Sequence, residues 1–306
     1  MMRVPLPGED GTSLPDGMAR WLTSPAMTTL LDAFGFPPLR PSSPLAENLA
    51  VAERCSERWD YRKGWLERHE AAGEDFPPAL DALIRTTTTA LGLVGRQQPS
   101  FTAYDHILVL GGGIRTMMAR SSLTADILHS GVQASTVAAL SSMRPLQDHE
   151  ETARILGLRP CPTEAEGADE ALRSTFHLDV PCTTRTGPDW WVRSYPDARP
   201  QVHVLAVPST RPGLRANTAD GFTGWIQLAA PHPHRTRLLL VTTDLYVPFQ
   251  HCNAVRLLGL PYGCTIDTVG FSMASSEYIA AARTFELLQE VRSTIHSMQA
   301  LYFALR

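Results

Sequence analysis

The run His106-Ile-Leu-Val-Leu110, closed at once by Gly111-Gly112-Gly113, is the feature that most limits what this chain can become. A short, unbroken apolar run fits a strand buried on both faces. Three glycines stop it, and a helical pattern follows over roughly 116–129. The same alternation recurs: apolar runs over 134–140, 202–207, 237–243 and 265–271 are separated by helical stretches near 163–176, 218–229 and 249–258. Strands joined by helical crossovers make a parallel sheet with helices on both faces. The expectation is an α/β fold, a doubly wound and mostly parallel Rossmann-like sheet, over residues 101–306.

Residues 1–100 show no strand pattern and are expected to form a helical N-terminal region, with helices over 18–34, 45–72 and 77–93. Residues 179–200, with Trp190-Trp191, look like an excursion from the core. Residues 275–305 read as one long amphipathic helix. Asp148 with Glu151, and Thr163 with Glu166, have the spacing of an N-cap and its reciprocating acid. The amphipathic C-terminal helix, together with Trp59, Tyr61 and Trp65 near the N-terminal helices, leads us to expect a homodimer.

Composition removes several classes. The net charge is −4, without the basic excess of a nucleic-acid-binding surface. No apolar run reaches the roughly 20 residues of a membrane helix, and the N-terminus lacks the apolar core of a secretory signal, so a cytoplasmic protein is expected. Five cysteines without a CxxC pair argue against a disulfide framework or a zinc knuckle; Cys252 and Cys264 read as small buried hydrophobes. Every basic residue except Lys63 is arginine, so an anion would be held by Arg or by backbone N–H groups.

In open α/β sheets ligands bind beyond the carboxyl ends of the strands. Those ends carry Gly111-Gly112-Gly113 with Arg115, then Ser141-Ser142 with Arg144, then Ser209-Thr210-Arg211, then Thr242-Thr243-Asp244. A glycine turn before a helix lets a phosphate reach the helix N-terminus. The turn is neither a GxxxxGK[ST] nor a GxGxxG motif. Asp244 and His251 are the candidate catalytic groups, as base or acceptor-orienting residues. His203, His232 and His234 form no ligand set, and no HExxH or GxSxG motif is present, so no metal site is expected.

Over about residues 104–272 the chain resembles the bacterial domain-of-unknown-function-218 family, typified by YdcF, SanA and ElyC. Asp105-His-Ile-Leu-Val-Leu-Gly-Gly-Gly-Ile114 resembles its opening strand and turn, and Arg120 falls near its arginine. Asn217-Thr218 resembles its Asn-Thr at a helix start, and Leu239-Leu-Val-Thr-Thr-Asp244 its late strand. Departures are Ser141-Ser142-Met143 where the family has Ser-Gly-Gly, Gly221 at its second Asn, and Tyr246 and Phe249 at its His and Arg. The resemblance implies a Rossmann-like fold and a nucleotide-type ligand.

Together these readings give a transferase acting on a nucleotide-activated donor, such as a nucleotide-sugar, in bacterial secondary metabolism including antibiotic biosynthesis. The donor diphosphate would rest on Gly111–Gly113, neutralised by Arg115, Arg211 or Arg215, with no cofactor or obligatory metal. Ser141, Ser142, Asn217, Thr218, Thr242 and Thr243 would complete the binding site. The alternatives are an S-adenosylmethionine- or adenosine-type ligand-binding protein and a non-catalytic binding or scaffold protein.

Overall fold

The structure, a computed structural model, describes residues 2–63, 71–95, 97–178, 182–211, 216–230 and 233–306. The chain is an α/β protein built on a seven-stranded, mostly parallel sheet. The strands are β1 (Ala103–Leu110), β2 (Gln133–Ser142), β3 (Thr183–Thr186), β4 (Trp191–Tyr195), β5 (Gln201–Val207), β6 (Arg237–Thr243) and β7 (Thr265–Phe271), in the order β3-β4-β5-β2-β1-β6-β7. The five strands from β5 to β7 run parallel, with Leu110 opposite Leu140, Val109 opposite Val241 and Thr243 opposite Phe271. Chain order reverses between β1 and β6, the switch point of a doubly wound sheet.

One face of the sheet is covered by α5 (Ile114–His129) and α7 (Glu164–Phe176), packed over Ile107, Val109, Val137, Ala139 and Val241. The other is covered by α8 (Thr218–Leu228) and the region beginning with α9 (Val247–Ala254), packed over Leu108, Leu110, Ala138 and Leu240. Alternate residues of each strand therefore serve opposite cores, which is why the strands read as continuous apolar runs. Each fully buried aliphatic side chain contributes about 1.5–3 kcal/mol. After α9 the chain passes through a π-helical turn, Val255–Gly259, into the short α10 (Leu260–Tyr262).

The N-terminal region is helical, as expected, but its helices are shorter. The 18–34 pattern is two helices, α1 (Leu14–Leu22) and α2 (Pro25–Ala33), because Ser24 caps the second and Pro25 starts it. The next are α3 (Leu45–Ser56) and α4 (Pro78–Ala90); Trp65 lies outside the described residues. The C-terminal helix, α11 (Thr284–Ala304), starts nine residues later than its apolar pattern suggests, where Glu286 reaches back to the Arg283 N–H at 2.6 Å. Leu287, Leu288, Val291, Ile295 and Met298 of α11 share one core with Trp21, Leu30, Leu49 and Trp59. Much of the apolar face of α11 thus packs against the N-terminal helices within the chain. Tyr61 packs edge-on against Phe285 at 5.3 Å, and Phe34 against Trp59 at 5.5 Å.

Two local expectations change. The excursion over 179–200 contains the hairpin β3–β4, which extends the sheet antiparallel to β5; Trp191 is buried in it, with the Arg193 guanidinium 4.4 Å from its ring centre. Ahead of α6 (His149–Leu156), Asp148 takes a left-handed conformation, φ 50°, and makes no side-chain cap, while Glu151 pairs with Arg154 at 2.7 Å. Thr163 and Glu166 do form the expected reciprocal cap on α7. Cys252 and Cys264 are buried and free. Among the described residues no helix is long and apolar enough to cross a membrane, and no group of His, Cys, Asp and Glu could hold a metal ion.

Candidate functional site

The glycine turn sits where β1 ends and α5 begins, beside the switch point. None of its three glycines has a positive φ, so conformational freedom does not explain them. Close approach explains the first: a Cβ at Gly111 would lie 2.4 Å from the Leu140 carbonyl oxygen. At Gly112 a Cβ would press on the Thr116 side chain at 3.1 Å. At Gly113 it would meet nothing within 4 Å. Gly113 is the N-cap of α5, with φ −64° and ψ 166°, and provides no capping side chain. At the positive end of this 16-residue helix the first N–H groups therefore receive no side-chain cap among the described residues.

Two further groups adjoin this end. Ser141, near the carboxyl end of β2, is 4% exposed, and its Oγ has no hydrogen-bond partner among the described residues. A buried hydroxyl without a partner is uncommon and costs stability. Arg115, in the first turn of α5, is half-buried and forms no ion pair or side-chain hydrogen bond among the described residues.

The carboxyl end of β2 is tied to the start of α7. Ser142 Oγ donates to Glu164 Oε2 at 2.9 Å, Arg144 Nη1 lies 3.3 Å from Glu164 Oε1, and the Glu164 N–H donates to the Arg144 carbonyl at 2.9 Å. One turn along α7, Gly167 packs on Ile114: a Cβ there would lie 3.0 Å from the Ile114 side chain. This contact brings the starts of α5 and α7 together, with Glu164 one turn before Gly167 and bonded to the end of β2. Glu164 is not among the residues that the strand ends single out; its one local signal is its place next to the Thr163 cap.

Other sequence candidates are structural in their visible contacts. Asp244 is 3% exposed; its Oδ1 accepts the Leu245 N–H at 2.8 Å and its Oδ2 those of Gly95 at 3.0 Å and Met273 at 3.3 Å. Burial raises its pKa above the ordinary carboxylate value, with these donors acting in the opposite direction. Its oxygens hold the segment after α4 to the end of the sheet. Gly270 permits this crossing, since a Cβ there would lie 2.4 Å from the Asp244 nitrogen.

His251 lies away from the carboxyl ends of the strands. Its Nδ1 contacts Thr268 Oγ1 and its Nε2 the Pro7 carbonyl oxygen, both at 3.1 Å. A carbonyl only accepts, so Nε2 carries the proton and Nδ1 accepts from the hydroxyl. Thr268 pairs with Leu240, three residues or about 10 Å before the end of β6. Burial lowers the pKa of this imidazole. Both side chains are thus buried, His251 at 1% and Asp244 at 3% exposure, with their polar atoms bonded within the protein.

Asn217 is the N-cap of α8, accepting from the Ala219 and Asp220 N–H groups at 2.8 and 3.2 Å, and Thr218 is the first helical residue. Thr242 is buried against Gln250, and Thr243 Oγ1 accepts from Arg120. Arg211 is exposed on the loop after β5; Arg215 and His232 lie outside the described residues. The structure thus brings Gly111–Gly113, Arg115, Ser141 and Ser142 together, with Thr243 and Asp244 lining the same end of the sheet.

The fold and this turn define a Rossmann-like α/β protein with a helical N-terminal layer. The profile of a family described as the Rv3785 N-terminal domain matches residues 6–92, which is that layer. The Mycobacterium tuberculosis protein Rv3785 and the Mycobacterium bovis protein Mb3814 are each 28% identical to the chain over 332 residues, covering 96% of this chain and 91% of theirs. No solved structure matches the chain.

Proposed function

We propose that the crevice beside Gly111–Gly113 binds a nucleotide-type ligand through its phosphates, and that the protein transfers a group from a nucleotide-activated donor. The observation that carries this reading is the uncapped N-terminus of α5 beside the buried, unpartnered Ser141 hydroxyl. Both are donors, and a phosphate oxygen supplies the acceptor each lacks. Arg115 adds a charge that no carboxylate claims among the described residues. Backbone dipoles and arginine aimed at the leaving diphosphate stabilise the charge that develops on it. With Asp244 and His251 both engaged elsewhere, the acceptor brings its own nucleophile, as a thiol does. The similarity of the opening strand and turn to the domain-of-unknown-function-218 family supports the same ligand class. Five free cysteines suit a reducing compartment, and we place the reaction in the cytoplasm.

An adenosine-type or S-adenosylmethionine ligand is the second reading: the Glu164 carboxylate, bonded to Ser142 at the end of β2, can accept from ribose hydroxyls, which these ligands share with a nucleotide donor. Thermal unfolding against GDP, UDP, TDP, CDP, AMP, ADP and S-adenosylmethionine separates the readings. A ligand at a hundred times its Kd adds about 2.7 kcal/mol. Stabilisation by a nucleoside diphosphate supports transfer, stabilisation by S-adenosylmethionine alone supports the second reading, and no shift with any of them rejects both.

A further inference from the structure

We infer that Glu164 selects ribonucleotides by accepting hydrogen bonds from the ribose diol of the ligand in the crevice. This rests on the nucleotide reading above and goes on to specify which part of the ligand Glu164 meets. A carboxylate beside an anion-binding helix end repels phosphate, so its location has to suit a different part of the ligand. Glu164 is the first residue of α7, and its side chain is 14% exposed: sheltered, yet open on one side. Capping of α7 does not require it, because Thr163 and Glu166 close that helix start reciprocally.

Its orientation is set from two directions. Ser142 Oγ donates to Oε2 at 2.9 Å, and Arg144 holds Oε1 at 3.3 Å. Each carboxylate oxygen has further acceptor capacity beyond these single contacts. A cis-diol offers two O–H donors, and a carboxylate fixed in one plane can receive both. Gly167 on Ile114 sets the spacing, since it draws the start of α7 onto the start of α5, where the phosphate would sit. Phosphate on the α5 turn and diol on Glu164 are the two ends of a ribose phosphate.

The Arg144 contact marks the competing possibility. If the ligand drew Arg144 away from Glu164, a 2′-phosphate would be favoured over a 2′-hydroxyl, since guanidinium binds phosphate in a forked geometry.

Titration calorimetry on the full chain tests this with ADP and UDP, their 2′-deoxy counterparts, and adenosine 2′,5′-bisphosphate. The expected result is that the ribonucleotides bind about tenfold tighter than the 2′-deoxy forms, the effect of one charge-assisted hydrogen bond. In Glu164→Gln, that ratio should fall to about twofold while binding itself persists. Equal affinity for ribo and deoxy forms overturns the inference, as does tighter binding of the 2′-phosphate or a ratio unchanged in Glu164→Gln. If no nucleotide binds at all, the nucleotide reading falls and this inference with it. If Glu164→Gln fails to fold, Glu164→Asp takes its place, and equal ribo and deoxy affinity on the unaltered protein overturns the inference without any variant.

Discussion

Arg120 and Thr243 join the two strands that flank the switch point. Arg120 Nη2 donates to Thr243 Oγ1 at 3.0 Å, while Nη1 reaches the Leu110 and Gly111 carbonyl oxygens at 2.5 and 2.6 Å. One buried guanidinium, 2% exposed, therefore ties the glycine turn to the end of β6. Replacing it with methionine leaves those oxygens without their donor and should cost about 3 kcal/mol. Lysine, lacking the forked geometry, should recover less than half of this. Urea unfolding midpoints of Arg120→Met and Arg120→Lys check both figures.

The first and third glycines of the turn should respond differently to alanine. Gly111→Ala drives a Cβ into the Leu140 carbonyl and is expected to cost about 1–3 kcal/mol. Gly113→Ala meets no atom at an ordinary negative φ and should fold with little change. Comparing the two by thermal unfolding tests whether close backbone approach fixes the turn.

Three histidines make stability fall in mild acid. Burial holds His106, His203 and His251 below the usual imidazole value of 6.5, with His106 and Arg185 adding to the depression at His203. Each is neutral in the fold and takes up a proton more readily when unfolded. Their stability contribution is therefore full above pH 6.5 and is lost as pH falls from there toward the folded values. Urea midpoints should be level from pH 8 to 7 and decline toward pH 5. His251→Gln should flatten that decline by up to about 1.4 kcal/mol per pH unit.

The two capping pairs read from the sequence differ in structure and should differ on mutation. Thr163→Ala removes a hydroxyl that caps α7 and is expected to cost about 1 kcal/mol. Asp148→Asn, at a left-handed position with no cap bond, should leave stability within about 0.5 kcal/mol. Chemical denaturation of the pair checks the contrast.

The five parallel strands were legible because burial on both faces writes an unbroken apolar run, and glycine or polar residues end each one. The hairpin β3–β4 was not: all four residues of β3 are exposed at the sheet edge, so no apolar pattern marks them. The start of α11 was misplaced because its apolar spacing continues into Tyr278, which packs on the sheet core without being helical. At the candidate site, the turn and the β2 serines could be found from strand ends alone. Asp244 and His251 carry the right chemistry in the sequence, yet their roles depend on what faces them. The partners of Asp244 come from residues 95 and 273, and those of His251 from residues 7 and 268, separations that no local pattern reveals. Glu164 stayed hidden for the same reason: its neighbour Ser142 is 22 residues away.

The most direct test of nucleotide binding at the turn is titration calorimetry of ADP and UDP into the native chain and Gly113→Asp. Aspartate at this N-cap has room for its Cβ and a suitable backbone conformation, so it should cap α5 and raise stability by a few tenths of a kcal/mol. Its carboxylate would occupy the N–H groups and oppose a phosphate. Binding of ADP or UDP to the native chain, lost in this folded and slightly more stable variant, is the predicted result. Equal binding by both proteins, or none by the native chain, would contradict it.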